Sequence, residues 1–476
     1  MQRFPHFIVI FVCLFLPLLA ENPTTEELST INTVTQILKA KEPWPGYQIS
    51  STPTIITFKN GHVFALGLNS PNSHWKTLSE GVQFSDHDEW GATSTPMQAN
   101  FIIENKKSFV FQLDHSVDDT IEKPFMVLVH ERFHQFQFGA FALMKGRSSS
   151  GYRDHMNAEN LVLMQIEEKL LLDYLKIGSK EILRDFVAVN QTRRQMIDMQ
   201  SSQHEIEQQM MEGLADYVSI KIFDETPIFK GFDGKQQLIN TLEKYASHPD
   251  ITQRAMKWRH YGVGATLGYV LDDLNIPDWK EKVQRYSQSQ EEQLEIALPM
   301  TDQEIATRVE QVKSAYNYED LKVRTTSIIN AYKRFLDDVM RDYTDQPGVE
   351  VSVGRIRSTG QSGGGFSKRL IYMANGTVLA LEDDSFASSS DQAWHLRLDK
   401  VPFALKGKGG EITFKVEEEL SLFIDGQTYK AKELAQISTQ KRFNSISWKG
   451  QKTAFGCEMR SGKLWTDNGC IRIEFD

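Results

Sequence analysis

One stretch of the chain, His130-Glu131-Arg132-Phe133-His134, combines the residue types that bind a zinc ion and use it. The apolar residues around this H-E-x-x-H motif predict a mostly buried helix. Residues four apart on a helix are neighbours, with Cβ atoms about 5–6 Å apart, so both imidazoles can reach one zinc ion with nitrogens at about 2.0–2.1 Å. Glu131 lies roughly 100° round the helix from His130. It would therefore miss the metal and reach a water molecule bound to it, which is the position of a general base.

A second acidic segment follows downstream, on a helix that the sequence predicts to begin at Ser202. Ser202 with Glu205 three residues later has the pattern of a capping box. Glu212 and Asp216 are four residues apart on this helix and therefore share a face. The residues between and after them are mostly small and apolar, which favours burial of the two acids over a solvated acidic surface.

With this segment, the sequence resembles the gluzincins, zinc metallopeptidases that add a glutamate from a second helix to the H-E-x-x-H pair. The resemblance covers these two helices and not the whole chain. It implies that His130, His134 and Glu212 bind one zinc ion, that Glu131 is the general base, and that Asp216 holds a ligand histidine. A ligand histidine needs a carboxylate or carbonyl group on its other ring N–H, which agrees with the last assignment.

Other ligand sets are compatible with parts of this pattern. A metzincin requires glycine at position 137 and histidine at position 140, and Gln137 and Ala140 exclude that subclass. Some H-E-x-x-H enzymes use an aspartate as the third ligand, so Asp216 is the main rival to Glu212. Weaker rivals in the same segment are His204, Glu205 and Glu207.

A tyrosine or histidine further along the chain could stabilise the oxyanion that forms when an amide is hydrolysed. Many gluzincins supply such a group from a helix after the third ligand. In the segment Arg259-His260-Tyr261-Gly262, Tyr261 is the first candidate for a catalytic group and His260 the second. The alternative is that the aromatic ring only packs at the start of a glycine-rich helix.

The N-terminus predicts export. Arg3 precedes an apolar run from Phe7 to Leu19, which has the pattern of a secretory signal peptide over residues 1–20, cleaved near Ala20. The run is shorter than the roughly 20 apolar residues of a spanning helix, and no later stretch predicts a stable membrane span. An uncleaved anchor is the alternative.

Cleavage would leave Cys457 and Cys470, which we expect to form a disulfide in an oxidising compartment, against the alternative of two buried thiols.

Composition and pattern predict an α+β protein without a nucleic-acid partner. The net charge is −10 and the chain contains no basic stripe. Residues 21–345 are predicted to form a zincin-like metallopeptidase domain, mainly helical over 118–345, with a small β-rich part at 49–115. In that part, Asn60-Gly61 predicts a hairpin, and the resemblance implies that one strand within Met97–Gln112 is the edge that pairs with an extended substrate. Helices are expected at Leu161–Ile177, Gln237–Ala246 and Ala265–Leu274, with one or two long ones in Asp302–Tyr343.

Residues 346–476 predict a C-terminal antiparallel all-β domain, a sandwich or barrel, from short strands separated by turn signals. Trp394, Trp448 and Trp465 could form a carbohydrate or cell-surface contact there, although core packing is the better interpretation. The sequence as a whole predicts an exported zinc metallopeptidase acting on a peptide or protein substrate. The alternatives are a zincin-like secreted binding or adhesion protein without catalysis, and a zinc amidase acting on a non-peptide or peptidoglycan amide.

Overall fold

The structure, a computed structural model, describes most of the chain. The described residues are 22–41, 43–68, 74–88, 92, 97–103, 105–113, 122–145, 152, 154–226, 229–345, 347–354, 370–372, 378–380, 385–390, 394–399, 403–406, 411–436, 439–450, 453–457 and 462–475. The predicted signal peptide, residues 1–20, lies outside them. The chain divides into two compact units, Met1–Ser148 with Asn160–Tyr316 and Ser149–Glu159 with Asn317–Asp476.

The first unit contains a six-stranded mixed sheet. Its strands are β1 (Thr54–Thr57), β2 (Val63–Leu66), β3 (Lys76–Ser79), β4 (Val82–Ser85), β5 (Met97–Ile103) and β6 (Lys106–Gln112), in the order β3-β4-β2-β1-β6-β5. Among the described strand pairs of this sheet, only β1 with β6 is parallel. The predicted hairpin at Asn60-Gly61 joins β1 to β2, and the φ of Gly61 is +91°, a conformation that glycine adopts without a steric penalty. In the described sheet β5 is an end strand, within the segment where a substrate-pairing edge is expected.

The central region is helical, as the sequence predicts. One helix, α1 (Thr25–Leu38), precedes the sheet. The α-helices of the central region are α2 (Lys123–Ala140), α3 (Ala158–Ile177), α4 (Lys180–Arg194), α5 (Met199–Gln208), α6 (Leu214–Glu225), α7 (Gly234–Ala246), α8 (Ile251–Gln253), α9 (Arg259–Asp273), α10 (Trp279–Gln284), α11 (Gln290–Ala297) and α12 (Asp302–Ala315). Two π-helical turns interrupt it, Gln209–Gly213 between α5 and α6 and Arg254–Trp258 between α8 and α9. The one or two long helices predicted over Asp302–Tyr343 are two, α12 and α13 (Tyr318–Asp345).

The predicted start of the second site helix at Ser202 is wrong. Helix α5 begins at Met199, and Asp198 is its N-cap, with a side chain that accepts a hydrogen bond from the Ser201 amide. Asp198 supplies the acceptor that the first turn needs, so Ser202 lies inside the helix. Glu205 does not cap the helix, because its buried carboxylate forms an ion pair with Arg193.

An aromatic cluster fixes the orientation of α2 in the first unit. The rings of Trp44 and Phe133 are 5.4 Å apart, and Trp44 also lies 5.4 Å from Trp279 and 6.4 Å from Tyr217. Phe133 is the motif residue next to His134, and its side chain is buried. Burying a side chain of this size contributes about 1.5–3 kcal/mol. The cluster therefore turns one face of α2 inward and leaves the two histidines on another.

The second unit consists of α13 and two β-sheets. Its strands are β7 (Val349–Gly354), β8 (Leu370–Tyr372), β9 (Val378–Ala380), β10 (Ser385–Ser390), β11 (Trp394–Asp399), β12 (Phe403–Lys406), β13 (Glu411–Val416), β14 (Ser421–Ile424), β15 (Gln427–Lys430), β16 (Lys441–Phe443), β17 (Ile446–Lys449), β18 (Thr453–Cys457), β19 (Gly462–Asp467) and β20 (Cys470–Phe475), with a short helix α14 (Ala431–Leu434). The sheet orders are β10-β11-β18-β17-β14-β15 and β16-β19-β20-β7-β13-β12-β9-β8. All pairs in them are antiparallel except β7 with β20.

The two sheets of the second unit share one core, as expected for a sandwich. Val351 and Phe414 of one sheet belong to the same buried cluster as Leu422 and Trp448 of the other. Trp448 is therefore a core residue, whereas Trp465 is half-buried. The side chain of Trp394 is not among those that the structure describes. The predicted domain boundary near Asp345 would separate α13 from these sheets. In the structure, α13 belongs to the same compact unit as the sheets.

The described residues do not contain the expected disulfide. Cys470 begins β20 and is buried, and Cys457 ends β18 in the other sheet. The side chain of Cys457 lies outside the described residues. Among the described helices, none combines the length and the apolar character that crossing a membrane requires.

Candidate metal centre

Helix α2 carries both predicted histidine ligands on one face. The rings of His130 and His134 are 4.6 Å apart and nearly perpendicular, and both side chains are largely buried. The neighbouring residues Leu128, Val129 and Phe133 are buried and hold the helix in the core. The spacing of four therefore brings the imidazoles together, as the sequence predicts.

Glu212 meets these two rings from the π-helical turn between α5 and α6. Its Oε2 lies 3.2 Å from Nε2 of His134 and 3.4 Å from Nε2 of His130. The ligand atoms of the three residues all lie within 4.8 Å of one another. This group of two histidines and one glutamate could hold one metal ion. Two imidazole nitrogens and a carboxylate oxygen are a ligand set that suits zinc.

The other acids and His204 are engaged elsewhere. Glu205 pairs with Arg193, Glu207 accepts a hydrogen bond from Gln203, and Nε2 of His204 lies 2.8 Å from the carbonyl oxygen of Met256. Asp216 lies at the opposite nitrogen of His130, with its Oδ1 2.7 Å from Nδ1. The structure thus places Glu212 between the Nε2 atoms of the two histidines, and it places Asp216 at the Nδ1 side of the His130 ring.

Both histidines have Nδ1 fixed by a hydrogen-bond acceptor. The carboxylate of Asp216 can only accept, so Nδ1 of His130 donates to it. Oε1 of Gln137 lies 2.7 Å from Nδ1 of His134, and Nε2 of Gln137 donates to the carbonyl oxygens of Met210 and Met211. Because those carbonyls can only accept, the amide orientation is determined and Nδ1 of His134 is also a donor. Both Nε2 atoms therefore face the centre, as metal ligands require.

Gln137 was missed as a site residue by sequence reasoning, which used it only to exclude metzincins. It lies three residues after His134 on the same helix, and that spacing was the available signal. Its side chain also links the metal-binding face of α2 to the turn that carries Glu212, through Met210 and Met211. One residue thus orients a ligand and joins the two helices.

The turn that carries Glu212 packs unusually closely on α9. A Cβ atom on Gly213 would lie 2.5 Å from Cα of Gly264 and 2.7 Å from the carbonyl oxygen of His260. A Cβ on Gly264 would lie 2.6 Å from the carbonyl oxygen of Gln209. Glycine at both positions allows the two backbones to touch, and a π-helical turn is frequent at functional sites. This contact holds the turn that carries Glu212 directly against α9.

The electrostatic environment favours a cation at the centre. Burial by itself lowers the pKa of His130, but hydrogen bonds and the negative charges of Asp216 and Glu212 raise it to about 10. Burial by itself raises the pKa of Glu212, but hydrogen bonds and charge from His130 and His134 hold it well below its ordinary value. Two carboxylates around two imidazoles therefore attract positive charge to this point.

An open cleft of about 630 Å³ lies beside the group. Glu131, half-buried, lines it together with His130, Asp216, Tyr245 and Tyr261. Its walls come from α2, α6, α7 and α9. Glu131 thus faces open space beside the group that could hold a metal ion.

The structure separates the two candidates for oxyanion stabilisation. The ring of Tyr261 stacks on His130 at 5.9 Å and its hydroxyl donates to Glu212. Burial and the negative charge of Glu212 raise the pKa of Tyr261 well above its ordinary value. His260 is completely buried, with Nε2 2.9 Å from the carbonyl oxygen of Ala255, and it does not line the cleft. The role expected for His260 is therefore unsupported, because one residue step turns its ring about 100° away from the cleft.

Comparisons of the chain with protein-family models, curated proteins and solved structures give no match. The site therefore rests on its own geometry: His130, His134 and Glu212 form a buried group that could hold one metal ion.

Proposed function

We propose that this protein is an exported zinc-dependent metallopeptidase. The observation that carries the proposal is the meeting of His130, His134 and Glu212 beside Glu131, at an open cleft. The resemblance to gluzincins at the same residues supports it. Three protein ligands are typical of catalytic zinc sites, whereas structural sites have four. A bound zinc ion would supply Lewis acidity, which polarises a carbonyl oxygen and acidifies water.

The side chains of the cleft have distinct tasks in this proposal. Glu131 accepts a proton from the attacking water and then gives it to the departing amine. Asp216 and Gln137 keep the two imidazoles in the required tautomer and orientation. The hydroxyl of Tyr261 lies beside Glu212 at the cleft, where it can donate to a developing oxyanion.

The edge strand β5 supports a peptide substrate. Among the described strands it pairs only with β6, which leaves its other edge to accept an extended chain. Helix α2, which carries the two histidines, contacts β5. The backbone of a peptide added to this edge would be held by main-chain hydrogen bonds.

The test compares Glu131→Gln with Glu122→Gln. Both glutamates line the cleft from α2, and the Glu122 side chain makes no capping hydrogen bond, so its loss should be mild. We expect wild-type protein to bind one zinc ion and to cut a peptide library in a chelator-sensitive way. Glu131→Gln should keep the zinc and lose roughly 10²–10⁴-fold in turnover, and Glu122→Gln should retain turnover.

Three results would contradict the proposal. Absence of bound zinc would remove its basis. Zinc without cleavage of any peptide would favour the amidase or the non-catalytic binding protein, which hydrolysis of a peptidoglycan amide then separates. Substantial turnover by Glu131→Gln would exclude Glu131 as the base.

A further inference from the structure

A second cavity lies against the face of α2 that points away from the metal centre. The cleft beside the metal centre is lined from α2 by residues up to Glu131, whereas the second cavity is lined from α2 by Arg132, Gln135, Phe136, Gly139 and Ala140. Its volume is about 390 Å³. Pockets for small molecules usually have volumes of about 300–1,000 Å³. We name it the Arg132 cavity.

The charge of this cavity is entirely positive. Its described lining contains two cationic side chains, Arg132 and Lys107, and no acidic one. The remaining polar groups come from Tyr47, Gln48, Ser51, Thr52 and Gln135. This composition contrasts with the net charge of −10 on the whole chain and with the three acids that line the metal-centre cleft. A concave site lined by one sign of charge concentrates ligands of the opposite sign.

Arg132 is the buried part of the site. Its side chain is 2 % exposed, and none of the ion pairs among the described residues involves it. The guanidinium donates from Nη2 to the carbonyl oxygens of Ile49 and Thr52 and from Nη1 to Oε1 of Gln135. Nε has no acceptor in the described structure. The guanidinium carbon also lies 5.4 Å from the centre of the Phe109 ring. Among the described residues, the positive charge therefore has neutral hydrogen-bond acceptors and an aromatic ring but no carboxylate, and an anion would compensate it.

We propose that the Arg132 cavity binds a small oxyanion, a phosphate or carboxylate group, free or on a small molecule. Arg132 would supply the buried charge from one side and Lys107 of β6 the flexible charge from the rim. Guanidinium and ammonium groups are the usual partners of such anions in proteins. The site is separate from the metal centre and does not depend on the proposed peptidase activity.

The test is calorimetric titration of the metal-free full chain with inorganic phosphate, and separately with acetate, at constant ionic strength. We expect saturable binding at one site, and the tighter of the two anions identifies the group. Lys107→Gln should weaken binding about tenfold, the effect of losing one charge-assisted hydrogen bond. Lys106→Gln is the matched control, because neighbouring residues of a strand point to opposite faces, and it should change the affinity less than twofold.

Two outcomes would overturn the proposal. Wild-type protein that binds neither anion would show that Arg132 serves only as a clamp between α2 and the backbone of Ile49 and Thr52. Equal weakening by Lys106→Gln and Lys107→Gln would show that the anions respond to general surface charge. Both variants change exposed side chains, so folding should not limit the comparison.

Discussion

Substitution of Gly213 by alanine tests whether the backbone contact between the π-helical turn and α9 positions Glu212. The added Cβ would lie 2.5 Å from Cα of Gly264, 2.7 Å from the carbonyl oxygen of His260 and 2.9 Å from the carbonyl carbon of Gly264. Carbon atoms in contact are about 3.5 Å or more apart, so the two segments must separate by about 1 Å. All three atoms are main-chain atoms, and no rotamer change can relieve the clash.

Two effects should follow from that separation. Overpacking of this kind costs about 1–3 kcal/mol, so the free energy of unfolding should fall by that amount. Glu212 is the preceding residue, and its Oε2 lies 3.2 Å from Nε2 of His134 and 3.4 Å from Nε2 of His130. A shift of about 1 Å displaces it from a position that metal sites hold to within about 0.2 Å. Zinc affinity should therefore fall by at least about tenfold.

Gly139→Ala is the matched control for this substitution. Gly139 lies on α2 one turn beyond the motif, and a Cβ there would meet nothing within 4 Å. Alanine in a helix is favoured over glycine by about 0.5–1 kcal/mol, so this variant should be as stable as the wild type or slightly more stable, with unchanged zinc affinity. Urea unfolding of the metal-free proteins and competition with a chelator measure the two effects. Wild-type stability and affinity in Gly213→Ala would refute the proposed role of the contact.

Two further predictions concern the hydrogen bonds and charges around the site. Gln137→Leu removes the acceptor from Nδ1 of His134 and should weaken zinc binding about 10–100-fold. Gln137→Glu keeps an acceptor and should retain more affinity. Equal zinc affinities of the two variants in a chelator competition would argue against this role of Gln137. Burial by itself raises the pKa of Glu205, but the charges of Arg193 and Arg259 lower it from 4.5 to about 2. The contribution of Glu205 to stability is therefore present above about pH 4.5 and lost as the pH falls towards 2. Across this window, the free energy of unfolding should fall less steeply in Glu205→Gln than in the wild type. An unchanged slope would contradict a lowered pKa for Glu205.

The sequence by itself determined the parts of the protein that depend on local spacing. A helix brings residues four apart together wherever it lies, so His130 and His134 could be paired without a structure. Asn60-Gly61 specified its hairpin for a similar reason, since few residues adopt the required turn. The alternation of short strands and turns after Asp345 indicated the C-terminal β fold.

Only the tertiary structure decided which distant groups meet at the site. Asp216 and His130 are 86 residues apart, and Glu212 and His134 are 78 apart, so their meeting depends on how two helices pack. The glycine contact between the π-helical turn and α9 holds the segment that carries Glu212, and no residue spacing reveals it. Packing also places His260 in the core and Tyr261 at the cleft. It brings Gln137 within hydrogen-bond distance of both His134 and the turn that carries Glu212. The helical repeat determines which residues share a face of a helix. The tertiary fold determines which other residues that face contacts, because those residues come from distant parts of the chain.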